Sequence, residues 1–226
     1  MTTRIPKLDP LPEDDDALAA RIAARDERAF ETVMRRHNRM LYRLARSILR
    51  DDAEAEDALQ DAYIAAYRGI GSFRGGARLS TWLARIVINA AYARLRKRTA
   101  TAEVVAIHAN FEVHSATVHD EATESPENAA MRSELRALLI EKIDALPELF
   151  RVVYVMRDVE ELSVEETAAC LDLPEATVRT RAFRARALLR EALAREIDAA
   201  TVDAFGFDGE RCDRIVAAVL ARLRSF

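Results

Sequence analysis

The segment Leu162-Ser163-Val164-Glu165-Glu166-Thr167-Ala168-Ala169-Cys170-Leu171-Asp172-Leu173-Pro174-Glu175-Ala176-Thr177-Val178-Arg179-Thr180-Arg181-Ala182-Phe183-Arg184-Ala185-Arg186-Ala187-Leu188-Leu189 reads as two helices and the turn between them. Ser163 with Glu166 three residues later is a capping box, which starts the first helix. Asp172-Leu173 is a tight turn, and Pro174 suits the first position of the next helix, where its missing N–H does no harm. A short helix joined by so brief a turn to a basic one is the sequence form of a helix-turn-helix. Val178, Ala182, Ala185 and Leu189 recur at helical spacing and form the inner face of the second helix. Arg179, Thr180, Phe183, Arg184 and Arg186 then point outward or to the flank. Arg pairs bidentately with guanine, Thr meets a base edge or a methyl, and Phe packs on a thymine methyl. Arg181 and Arg190 suit phosphates or solvent. Cys170, among small apolar residues, reads as a packed, inert thiol.

Upstream, Met131, Leu135, Leu138/Leu139 and Ile143 make a helix that Leu146-Pro147 interrupts, and Phe150, Val153, Tyr154 and Val155 lie on a new one. Further upstream, Phe30, Val33/Met34, His37, Leu41, Leu44 and Ile48 recur every three or four residues, an amphipathic helix near 27–50. His37 falls on that stripe as a core or edge residue. Asp51-Asp52 caps a second helix with Ala55, Leu59, Ala62, Tyr63, Ala66 and Tyr67 inward. The stretch from Gly69 to Arg78 carries four of the six glycines and is a basic loop. A third helix starts at Ser80 or Thr81 and ends in Arg94-Leu95-Arg96-Lys97-Arg98. The expected organisation is all-α: a flexible tail at 1–16, a helical domain at 17–98, a linker at 99–127, a helix-turn-helix domain at 128–195 and a C-terminal helical extension at 196–226. In that extension Ile215, Val219 (or Leu220) and Leu223 mark an amphipathic helix, and the lone Cys212 reads as structural or incidental.

The chain has 226 residues and a net charge of −4, which pools blocks of opposite sign. Residues 51–61 hold six acids and no base, and 62–102 hold eight Arg and Lys and no acid. Residues 103–128 hold six acids and three His without a Lys or Arg, 158–175 hold seven acids without a base, and 176–190 hold five Arg without an acid. Basic helices neutralise phosphates and release counterions, the main source of affinity for nucleic acid. The acidic blocks then serve a basic partner or suppress wrong contacts with DNA. In the first domain the bases are interleaved with Phe73, Trp82 and Tyr92, a combination that suits unpaired DNA, although Trp82 by itself reads as a core aromatic.

Other classes are disfavoured. Half the chain is hydrophobic, against disorder. Two cysteines cannot make a disulfide scaffold or a four-cysteine zinc site. His108, His114 and His119 match no usual metal-ligand spacing. There is no nucleophile–base pair, and Gly75-Gly76 lacks the spacing of a nucleotide-binding motif, so no enzyme, cofactor or metal is expected. No apolar run is long enough for a membrane span and the N-terminus lacks a signal-peptide pattern, so the expected location is the cytoplasm.

Asp57-Ala58-Leu59-Gln60-Asp61-Ala62-Tyr63, Phe73-Arg74-Gly75-Gly76 and Ser80-Thr81-Trp82-Leu83-Ala84-Arg85-Ile86-Val87-Ile88-Asn89 resemble region 2 of extracytoplasmic-function (ECF) sigma factors. Leu146-Pro147 through Leu189 is similar to region 4 of the same family. The resemblance implies a non-catalytic transcription initiation subunit that binds core RNA polymerase and promoter DNA and is held by an anti-sigma factor. By that resemblance Asp57, Gln60 and Asp61 dock on the clamp of the largest core subunit. Phe73, Arg74 and Arg78, with Arg85 and Asn89, match positions facing the −10 element and its flipped base. Arg179, Thr180, Phe183 and Arg184 match the reader of the −35 element. The residues after Arg195 are a departure, since the family commonly ends near the recognition helix. The competing reading is a stand-alone helix-turn-helix regulator, which needs neither the acidic helix nor the glycine–aromatic loop.

Overall fold

The computed structural model describes residues 14–105, 126–204 and 209–224, and these are helices joined by short turns and loops, with no strand among them. The expected histidines of the linker, His108, His114 and His119, lie outside the described residues, as does the tail up to residue 13. Described residues fall into two compact units, Met1–Arg186 and Ala187–Phe226.

The first unit opens with α1, Asp15–Ala23, so Asp15 and Asp16 are its first turn rather than tail. Two acids there complement the positive end of the helix dipole. α2, Glu27–Leu49, is capped by Asp26, whose carboxylate accepts from the N–H groups of Arg28 and Ala29 at 3.0 and 3.2 Å. Arg50 takes a left-handed φ of 56° and turns the chain, and the Asp51 carboxylate accepts from Glu54 N–H to start α3, Asp52–Gly69. A 3₁₀ turn at Ile70–Ser72 leads into the loop, and α4 runs from Leu79 to Val105, beyond the expected end at Arg98.

After the break, α5 spans Pro126–Asp144 and stops before Leu146-Pro147. α6, Glu148–Tyr154, continues through a π-helical turn at Val155–Val159. α7, Val164–Leu171, carries the capping box in full: Glu166 N–H donates to Ser163 Oγ and Ser163 N–H donates to the Glu166 carboxylate. Asp172 adopts a left-handed φ of 53° in the turn, and α8, Glu175–Ala204, follows. Pro174 sits one residue before the helix, its carbonyl accepting from Thr177 and Val178 N–H, so it is the N-cap rather than the first helical residue.

Leu18 and Ile22 of α1, Leu41, Leu44 and Ile48 of α2, and Leu83, Val87 and Ile88 of α4 build one apolar cluster. Val152, Val155, Met156, Leu162 and Cys170 belong to the same cluster, so the two sequence halves of this unit meet across a common apolar interface. A buried polar tie across it is Arg151, 3% exposed. Its guanidinium donates to the carbonyls of Ser47 at 2.6 Å, Leu146 at 2.8 Å and Asp144 at 3.0 Å. Arg46 adds ion pairs to Asp52 at 2.7 Å and Asp144 at 2.8 Å, and Arg43 pairs with Glu160 at 2.9 Å. The second unit holds the end of α8 and α9, Gly209–Leu223, on which Ile215, Val216, Val219, Leu220 and Leu223 are exposed. Cys212 is exposed as well.

Candidate nucleic-acid and polymerase interface

On α3, Ala55, Ala58, Leu59, Ala62 and Tyr63 face the core, which leaves Asp57, Gln60 and Asp61 exposed on the opposite face. That face is not purely acidic. Arg94, from the basic end of α4, places its guanidinium 2.7 Å from Asp61, 3.1 Å from Glu54 and 3.3 Å from Asp57. The Asp61 hydrogen bond, above all, pushes the guanidinium pKa up further. The expectation for this acidic block is a basic partner or the exclusion of wrong DNA contacts, and local spacing gives no signal for a counter-charge some 30 residues downstream.

The loop after α3 is fixed at both ends. Phe73 packs edge-on against Trp82, ring centroids 5.8 Å apart and both half-buried against the core, so Phe73 braces the loop. Gly75 takes φ +68°, a conformation that favours glycine. Arg74 and Arg78 are exposed, Arg78 with 76% of its side chain in solvent and 3.6 Å from Glu166 of α7. The carbonyl of Arg78 accepts from Thr81 and Trp82 N–H, which makes Arg78 the N-cap and moves the start of α4 to Leu79 from the expected Ser80 or Thr81. Leu79 N–H donates to the Asp15 carboxylate at 2.7 Å, a cap supplied from α1 that sequence reasoning missed.

Arg85 and Asn89 are exposed on α4 and lie four residues apart, so with Arg78 they share one face. α7 packs on the same helix, and the Cys170 thiol donates to the Thr81 carbonyl at 3.5 Å. Burial, helped by the Glu166 charge, pushes this thiol up to about 11, as expected for an inert cysteine.

On α8, Val178, Ala182 and Ala185 are buried, matching the expected inner face. Arg179, Thr180, Phe183 and Arg184 are exposed together, and Phe183 shows 68% of its surface. Arg179 pairs with Glu175 at 2.6 Å, and the Thr180 hydroxyl donates back to the Ala176 carbonyl at 2.9 Å. Arg186 is held by Asp158 of the π-helical turn at 2.6 Å, which makes it an anchor of the helix to its support. No group of His, Cys, Asp and Glu among the described residues is arranged to hold a metal, and no helix among them is long and apolar enough to cross a membrane.

The family model Sigma-70 region 2 matches residues 33–101, and Sigma-70, region 4 matches residues 136–189. The RNA polymerase sigma-H factor of Pseudomonas aeruginosa is 37% identical over 176 residues, 76% of this chain and 90% of that protein. The ECF RNA polymerase sigma-E factor of Escherichia coli K12 is 36% identical over 175 residues, with the same shares. Among solved structures, CnrH in complex with the cytosolic domain of CnrY is similar at a TM-score of 0.56 and 26% identity, covering 85% of this chain and 99% of that one. The sigma factor RpoE in complex with the anti-sigma factor NepR from Bartonella quintana shares the fold at a TM-score of 0.60 and 24% identity, covering 73% and 96%. With both helical segments matched in order, and with relatives 36–37% identical over 76% of its length, the chain belongs to the extracytoplasmic-function sigma factors of RNA polymerase.

Proposed function

We propose that the chain directs core RNA polymerase to promoters by three separate surfaces and performs no catalysis of its own. Asp57, Gln60 and Asp61 dock on a basic surface of the core enzyme. Phe73, Arg74, Arg78, Arg85 and Asn89 engage the −10 element, the loop taking an unpaired base. Arg179, Thr180, Phe183 and Arg184 read the −35 element in the major groove. The observation that carries this reading is the exposed set on α8: an aromatic and two arginines held outward by a buried Val178–Ala182–Ala185 face. The work is done in the cytoplasm, where polymerase and promoter are. Since CnrH was solved with CnrY, and RpoE with an anti-sigma factor, we infer an inhibitory protein partner for this chain too. Titration of the full chain against core polymerase, followed by transcription from promoters mapped after overexpression, tests the reading. A complex that starts transcription at a defined −10/−35 pair is expected. DNA binding without any polymerase complex at micromolar concentrations would instead mark a stand-alone helix-turn-helix regulator.

A further inference from the structure

We infer that Asp15 and Asp16 of α1 are positioning residues for the 73–78 loop, so that α1 is part of the apparatus that takes the −10 strand. This rests on the reading of that loop given above.

The first N–H groups of a helix have no partner within it and need an acceptor from elsewhere. The Arg78 side chain, at the N-cap, has no acceptor to offer. Leu79 is buried, so water does not reach its N–H freely either. Asp15 fills the gap, with its carboxylate 2.7 Å from that nitrogen and its charge at the positive end of α4. The carboxylate is held there because Leu18, Ala19 and Ile22 bury the rest of α1 in the core. One residue on, Asp16 occupies the space beside Gly75: a Cβ at Gly75 would lie 2.7 Å from the Asp16 Oδ1. The loop is thus pinned at two points, Phe73 on Trp82 and Leu79 on Asp15, and the Asp16 carboxylate fills the space beside Gly75, while Arg74 and Arg78 stay in solvent. A loop held in its working shape loses less freedom when it closes on a strand.

The test uses the full chain assembled with core polymerase. The probe is a fork-junction DNA with a single-stranded non-template −10 segment, taken from a promoter mapped after overexpression of the unaltered chain. Asp15→Ala is expected to lose ~10-fold in fork affinity, about what one charge-assisted hydrogen bond supports. Core affinity and binding of a duplex −35 fragment should stay within about twofold. Asp15→Asn keeps an acceptor without the charge and should recover part of the loss, and hydrogen exchange at the Leu79 amide should speed up most in Asp15→Ala. Gly75→Ala should also weaken fork binding, and adding Asp16→Ala should recover part of the loss. Unchanged fork affinity in Asp15→Ala overturns the inference, and so does an equal loss on fork, core and −35 duplex. If the unaltered holoenzyme does not distinguish the fork from one with a scrambled −10 strand, the reading of the loop itself fails, and the inference with it.

Discussion

Arg151 of α6 donates from its guanidinium to the carbonyl oxygen of Ser47 in α2 at 2.6 Å, and so ties the region 4 segment to the core of the region 2 segment. Among the described residues no carboxylate bonds to this charge. Three main-chain carbonyls hold it instead, and burial pulls its pKa below the usual arginine range. Arg151→Met removes the desolvated charge and also leaves the carbonyls of Ser47, Asp144 and Leu146 without a donor. A net loss of about 2–4 kcal/mol is expected, because unsatisfied buried acceptors cost more than the bonds themselves return. Urea unfolding at neutral pH checks it, and a loss below about 1 kcal/mol would mean that water replaces the guanidinium freely.

Arg184 has no ion-pair partner among the described residues, whereas Arg179 and Arg186 are engaged by Glu175 and Asp158. Arg184→Ala should therefore weaken −35 binding by about 1–3 kcal/mol. Equal loss on scrambled DNA would make it a phosphate contact.

Asp61 pairs with Arg94 within the chain, and on the function proposed above the same carboxylate also has to meet a basic surface of the polymerase. Asp61→Asn should weaken core binding, yet change stability by less than about 1 kcal/mol, since the Arg94 pair is open to solvent. Arg94→Ala frees the same carboxylates, so core affinity should hold or rise. Titration at two salt concentrations separates the two effects, the Asp61 contribution shrinking as salt increases.

His37 titrates below its ordinary value because burial, and then the charge of Arg36, disfavour the imidazolium, with Asp15 opposing them. Unfolded chain therefore takes up the proton first as pH falls below about 6.5. Stability should decline with acidification through that window. His37→Gln should flatten this part of the pH profile, read as urea midpoints between pH 5 and pH 7.5.

Cys170 and Cys212 offer a solution check on the packing of α7 against α4. Cys212 is exposed and should react with a disulfide reagent at once. Cys170 is buried, with its thiol pushed up to about 11, and should react only as the two helices part. Two equally fast thiols would contradict the packed arrangement.

Much of the fold was legible because its determinants are local. The Ser163/Glu166 box, the Asp172 turn and the Val178–Ala182–Ala185 face depend on neighbours within one or two turns, and the structure has all three. Asp51 as a cap and the break at Leu146-Pro147 were legible for the same reason. What escaped was non-local. Nothing near Leu79 in the sequence says that its N–H is met from 64 residues away, or that Arg94 returns to an acidic helix. Local spacing shows the charge blocks but suggests for the acidic ones only a basic partner or the exclusion of wrong DNA contacts. Several of their members pair within the chain: Glu160 with Arg43, Asp158 with Arg186, Glu166 with Arg78.

The family match begins at residue 33, in the second turn of α2, whereas the packing begins at Leu18. A fragment cut at the matched boundary would sever the first turns of α2 from the rest of that helix and discard Leu18, Ile22 and Ala29, all fully enclosed. It would also strip Asp15 from Leu79. Dissection of this protein into autonomous pieces should therefore follow the buried side chains and keep everything from Asp14 onward, since the profile of a shared sequence marks ancestry and not the limits of a self-supporting body.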